Sequence, residues 1–225
     1  MGKFLLKWTA AALMVWLSAA ASCALYDACL RAPVVTRPVW AFLIGVGAYL
    51  VVQFFLFRPL LSHVLAHELT HAIVAVLLGG RVTAIHATTS GGSTTVNRSG
   101  VLISLAPYVF PFYAVLLTPV YFIAAESFKL PLAGLLGFTW TYHVALTVYT
   151  LFHNQPDLKE GGTVFSLIFI ICGNIIVLLI LTVLLWPEAL TWKSVFWGIG
   201  HWAVRLAEAV FQALRPLFTH QEAPS

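Results

Sequence analysis

Charge is scarce in this chain: 9% of its 225 residues are Asp, Glu, Lys or Arg, against 60% that are hydrophobic, and the mean hydropathy is +0.93. That balance excludes a water-soluble globule. The twelve Lys and Arg are scattered singly, with no basic run that would track a phosphate backbone, so nucleic acid is not an expected partner. Cysteine is equally sparse. Cys23 and Cys29 lie near one presumed membrane face, Cys172 stands alone in a hydrophobic run, and none has zinc-finger spacing. A Cys23–Cys29 disulfide would require an oxidising face. No internal repeat or low-complexity tract divides the sequence, which reads as a single membrane domain over 1–225 with a core over 39–187.

What is abundant is apolar sequence. A helix needs about 20 residues to cross a bilayer, and windows near 4–25, 39–57, 60–79, 101–125, 130–152 and 163–187 meet that length. The expected fold is all-α: a polytopic transmembrane bundle of about five or six spans, with the lipid bilayer as its surroundings. Lys3 and Lys7 followed by an apolar stretch and "SAAASC" read as a retained first helix, with a cleaved signal peptide as the alternative. The two early lysines and the compact size point to a bacterial inner membrane. From 190 to 218, apolar residues recur every three or four positions while Lys193, His201, Arg205, Glu208, Gln212 and Arg215 share the other face, so an interfacial amphipathic helix is expected.

One apolar window contains "HELTH". Residues four apart on a helix project from one face, so His67 and His71 can grip one metal ion, and Glu68 can reach a water on that ion without ligating it. Zinc lowers the pKa of such a water to about 7, and the carboxylate serves as general base for attack on a peptide carbonyl. An ionisable group near the bilayer centre costs about 2.5–3.5 kcal/mol on insertion scales, so it is rarely left there without a use. A catalytic zinc takes a third protein ligand. The polar stretch "HNQPDLKEGG" supplies Asp157 and Glu160, three apart and on roughly one face of a helix starting at Pro156. His153 adjoins them as a further imidazole. His143, within "TWTYHVALTVY", is a candidate to hydrogen-bond a zinc ligand or a developing oxyanion, and His63 reads as a surface residue at the helix start or a partner of His67.

After the HExxH helix, Arg81 to Thr88 and Ser93 to Val96 are rich in β-branched residues around Gly91 and Gly92, which predicts a short hairpin or a re-entrant loop. An exposed strand edge there could hold an unwound substrate segment by strand addition. "LAPYVFPFYAVLLTP" carries Pro107, Pro111 and Pro119, and a helix through it is expected to kink.

Taken together, "HELTH" in an apolar helix, the Gly-containing segment after it, and the Asn, Pro and acid of "NQPDLKEGG" resemble the site-2 protease family of intramembrane zinc metalloproteases, over roughly residues 60 to 187. The resemblance implies an endopeptidase with one zinc per chain, acting on membrane-embedded or membrane-adjacent peptide segments. In that family the third ligand is an Asp in a pattern of Asn, two residues, Pro, and then Asp-Gly. Here Asn154 and Pro156 are only two apart and Glu160 precedes the glycine. Residue type favours Asp157 as the third ligand; alignment on Gly161 favours Glu160, the alternative. Two other function classes fit the same residues: a metal-binding transporter or sensor, for which Glu68 would be dispensable, and a non-catalytic membrane scaffold. The sequence names neither the substrate nor the oligomeric state.

Overall fold

The computed structural model of the chain describes residues 2–32, 34–153 and 155–219, so Asn154 of the family-like stretch lies outside the described residues. Nine α-helices and one two-stranded sheet are present among them. In order they are α1 (Gly2–Arg31), α2 (Arg37–Val51), extended by a π turn over Val52–Leu56, α3 (Leu60–Leu77), β1 (Val82–Thr88), β2 (Gly91–Val96), α4 (Val101–Val109), α5 (Phe112–Ile123), α6 (Glu126–Leu151), α7 (Asp157–Gly161), α8 (Thr163–Leu185) and α9 (Trp192–Thr219).

Four of these helices are long and apolar enough to cross a membrane: Phe4–Arg31, Arg37–Leu56, Leu60–Leu77 and Thr163–Leu185. The expected span over 101–125 is a broken one. Its two halves, α4 and α5, meet at an angle of 63°. Pro111 supplies no backbone N–H and forces Phe110 into extended backbone at ψ 105°, so the helix stops there, while Pro107 and Pro119 are accommodated inside helices. If that pair counts as one crossing, the total is five. The expected span over 130–152 does not join the set. Thr139, Thr141, His143 and Thr147 interrupt its hydrophobic run, and Thr141, Tyr142, His143 and Thr147 are buried within the protein instead of facing lipid.

The chain divides into two compact units, Val34–Val177 and a second formed by Met1–Pro33 with Leu178–Ser225, and α8 runs through both. In the second unit α1 packs on α9, where Trp202 Nε1 donates to Asp27 Oδ2 at 3.0 Å. The predicted amphipathic region is helical from Trp192 onward, with residues 190 and 191 outside the helix. Cys23 and Cys29 lie on one continuous helix as free thiols, and no disulfide forms among the described residues.

Within the first unit, α2 and α6 pack backbone to backbone. A methyl group on Gly45 would overlap the carbonyl of Gly134, and one on Gly137 the carbonyl of Phe42. Small residues are what allow helices to approach so closely in a membrane, where lipid-like apolarity gives no hydrophobic preference for association. Helix α3 ends at Gly79, whose φ of +82° suits glycine, and the Arg98 guanidinium caps it by donating to the Leu78 carbonyl. The chain then forms the predicted hairpin. β1 and β2 pair antiparallel from Val82↔Val96 to Thr88↔Gly91, with a bulge at Thr83. Its turn residues are Thr89 and Ser90, so Gly91 and Gly92 open β2 rather than making the turn.

Candidate metal centre

Helix α3 carries "HELTH" with one face turned inward: His63, Ala66, Glu68, Thr70 and Ala72 are buried, and His67 and His71 are nearly so. Opposite the two histidines stands α7. Pro156 starts this short helix and presets its first φ, Gly162 ends it at φ +77°, and Leu158 anchors it in an apolar cluster with Leu105, Tyr108 and Ile170. Ser166 adds a hydrogen bond from its hydroxyl to the Leu158 carbonyl at 3.0 Å. With Leu158 pinned inward, Asp157 faces α3.

The result is a triangle of donor atoms. His67 Nε2 lies 3.1 Å from His71 Nε2, and Asp157 Oδ2 lies 3.4 Å from the first and 3.5 Å from the second. The tautomer of His71 follows from its other edge. His71 Nδ1 is 2.8 Å from the Ile103 carbonyl, which can only accept, so the neutral ring donates there and turns the lone pair of Nε2 into the triangle. Asp157 is held in turn by Tyr108, whose hydroxyl donates to Oδ2 at 2.9 Å; the same hydroxyl lies 3.2 Å from Gln155 Oε1. The Tyr108 ring is 1% exposed and stands edge-on to His67 at 5.0 Å between centroids. Asn174 Nδ2 fixes the Tyr108 backbone by donating to its carbonyl at 2.8 Å.

Glu68 is buried and engaged by the hairpin. Thr94 Oγ1 lies 2.7 Å from Glu68 Oε2 and 3.0 Å from the Glu68 carbonyl oxygen, so its single hydroxyl proton is shared between them or given to the closer carboxylate. Strand β2 passes so close that a Cβ on Gly92 would sit 2.7 Å from Glu68 Cγ and Oε1 and from Val64 Cγ1. A cavity of about 410 Å³ opens between β2, α3 and the 155–157 segment, with His67, Glu68, His71, Gly92, Thr94 and Asp157 in its wall.

Of the residues singled out in the sequence, His63, His67, Glu68, His71, Asp157, Gly91 and Gly92 thus converge on one cavity. Glu160 does not: it is exposed on α7, and the metal-ligand-like group contains Asp157 in its place. His153 is exposed and bonded to the Tyr149 carbonyl at 2.9 Å. His143 does not line the 410 Å³ cavity; it lies behind His67, in a smaller one. His63 is buried rather than at the surface, because Tyr142 of α6 covers the first turn of α3. Tyr108, Thr94 and the Ile103 carbonyl were not predicted. The signal for Tyr108 was available, a phenol in an apolar run between two prolines, but its partner is 49 positions away. Set against known proteins, the chain matches no family model, no curated protein and no solved structure.

Proposed function

We propose that the chain is a zinc-dependent intramembrane endopeptidase of the site-2 protease kind, with His67, His71 and Asp157 as ligands and Glu68 as general base. The observation that carries this reading is the donor triangle. Tetrahedral zinc at 2.0–2.1 Å from its N and O ligands sets ligand atoms about 3.3 Å apart, and the three edges here are 3.1, 3.4 and 3.5 Å. Two neutral imidazoles and one carboxylate are a donor set that zinc accepts, leaving a fourth position open. Bound there, zinc would supply Lewis acidity toward water and the scissile carbonyl.

The remaining chemistry belongs to the chain. Glu68 follows the first ligand directly and borders the same cavity, so its carboxylate takes the proton of the attacking water and returns it to the leaving amine. Thr94 holds Oε2, which leaves Oε1 for that transfer. β2 has β1 on one side only, and its free edge supplies backbone donors and acceptors to a substrate strand drawn out of its helix. That α3, which carries both histidines, is itself long and apolar enough to cross a membrane supports a substrate in or beside the bilayer.

Zinc per purified chain tests the reading. About one zinc is expected in the wild type and in Glu160→Ala, and none in His67→Ala or Asp157→Ala that remain folded. Glu68→Gln should keep its zinc and lose hydrolysis of a single-span peptide, whereas a metal transporter or sensor would tolerate that change. A folded wild type that cannot be loaded with zinc removes the proposal.

A further inference from the structure

A metal-binding histidine usually donates its second ring N–H to a carboxylate, carbonyl or water, which fixes the ring and strengthens its lone pair. His71 meets this rule through the Ile103 carbonyl. His67 does not. Its Nε2 belongs to the donor triangle, and none of the hydrogen bonds among the described residues reaches its Nδ1.

Behind His67 lies a small cavity of about 10 Å³, close to the space one water molecule requires. His63, His67, Thr70, Tyr113, Tyr142 and His143 contribute its polar wall. The hydroxyls in that wall are already engaged: Thr70 with the Ala66 carbonyl at 2.7 Å, Tyr113 with the Ser62 carbonyl at 3.0 Å and Tyr142 with the Ser62 hydroxyl at 2.9 Å. Two imidazole nitrogens are not. His63 Nε2 and His143 Nε2 are both buried without a partner, on side chains that are each 6% exposed. Leaving one such group unsatisfied costs about 1–3 kcal/mol, so two of them on residues that line one cavity against His67 is an arrangement that calls for a shared partner.

We infer that this cavity is a built site for one water molecule that ties His67 to His63 and His143, making the latter two positioning residues for the metal centre. The inference rests on the zinc reading above. One water can serve all three rings: His67 Nδ1–H donates to the water oxygen and, with His63 and His143 protonated on Nδ1, the two water hydrogens go to their Nε2 lone pairs. A water with three such bonds has the number typical of buried waters. α6, which falls short of the apolar set because of residues such as His143, thereby acquires a reason for carrying them.

The test is the zinc dissociation constant of the full chain in detergent micelles, measured by competition with a chromophoric chelator. His63→Leu and His143→Leu should each weaken zinc by roughly tenfold, the lower end of what loss of such supporting bonds costs. His143→Gln, which restores a polar group, should recover part of the loss. Because one water serves both rings, the double Leu variant should lose less than the product of the single losses. Losses that multiply, or Leu variants that bind zinc like the wild type, overturn the water site while leaving the metal centre standing. A wild type without zinc affinity overturns both. Should the Leu variants fail to fold, zinc-loaded wild type labelled with ¹⁵N-histidine decides the matter: the His67 imidazole N–H should show magnetisation transfer with a protected internal water, and an N–H without that water refutes the site.

Discussion

Gly92→Ala is the sharpest test of where the hairpin sits. The added methyl would stand 2.7 Å from Glu68 Cγ, Glu68 Oε1 and Val64 Cγ1, where ordinary contacts begin at 3.4 Å. Either β2 or the Glu68 side chain must therefore move by about 1 Å, since carbon atoms pack best at about 3.5–4.0 Å. A misplacement of that size at a reacting group costs about 10²-fold in rate, equivalent to about 2.7 kcal/mol of barrier. The three nearest atoms to the methyl belong to Glu68 and Val64 and to none of the proposed ligands, so zinc content should stay near one per chain. The overpacking itself should destabilise by about 1–3 kcal/mol. The assay pairs zinc content with kcat/KM for a fluorogenic single-span peptide on the same preparation, with Gly47→Ala as control because its methyl meets nothing within 4 Å. Wild-type kcat/KM in zinc-loaded Gly92→Ala refutes the placement of β2 against the base, and loss of zinc would show that the strand supports the ligands instead.

Tyr108→Phe removes the hydroxyl that donates to Asp157 at 2.9 Å, and zinc affinity should fall about 10-fold while the fold survives; chelator competition measures it, and unchanged affinity would mean Asp157 is positioned by Leu158 alone. Thr94→Val keeps the shape of the side chain but frees Glu68 Oε2, so kcat should fall with KM and zinc content little changed, and Thr94→Ser should restore most of it. Gly137→Ala drives a methyl into the Phe42 carbonyl and should destabilise by more than about 1–3 kcal/mol because backbone cannot yield as a side chain does, read as a lower thermal midpoint in micelles with no selective effect on zinc affinity. Chelation of zinc should lower the wild-type midpoint and leave that of His67→Ala unmoved, because only a ligand bound to the folded state stabilises it.

The parts of this molecule legible in its sequence are those governed by short-range rules. His67 and His71 share a face because of helical periodicity, with Glu68 beside the first of them, and "HELTH" shows that without further context. β-branched strands and a Pro-broken helix follow from local sterics in the same way, and both are present. The position of Gly92 was harder. A Gly-Gly pair between two strand-like runs reads as a turn, because conformational freedom is the usual reason for glycine there. Here the reason is room for Glu68, which sits 24 positions earlier and on another element.

The proposed third ligand shows the same division. Asp157 and Glu160 lie on one five-residue helix, and sequence rules alone let either face α3. The choice rests on which neighbour is pinned in the apolar cluster. Leu158 packs against Leu105, Tyr108 and Ile170, residues of α4 and α8, and that burial fixes the rotation of the helix. With Leu158 inward, Asp157 meets the histidines and the Tyr108 hydroxyl, and Glu160 is left exposed. Tyr108 acts twice, packing against Leu158 and hydrogen-bonding the residue beside it, so a chain that buried Tyr108 differently would lose the carboxylate from the donor triangle without any change in "HELTH" or in the acids themselves. The proposed metal centre would thus be specified as much by an apolar contact between α4 and α7 as by His67, His71 and Asp157 themselves, and Leu158→Ala should weaken zinc binding although Leu158 is not among the proposed ligands.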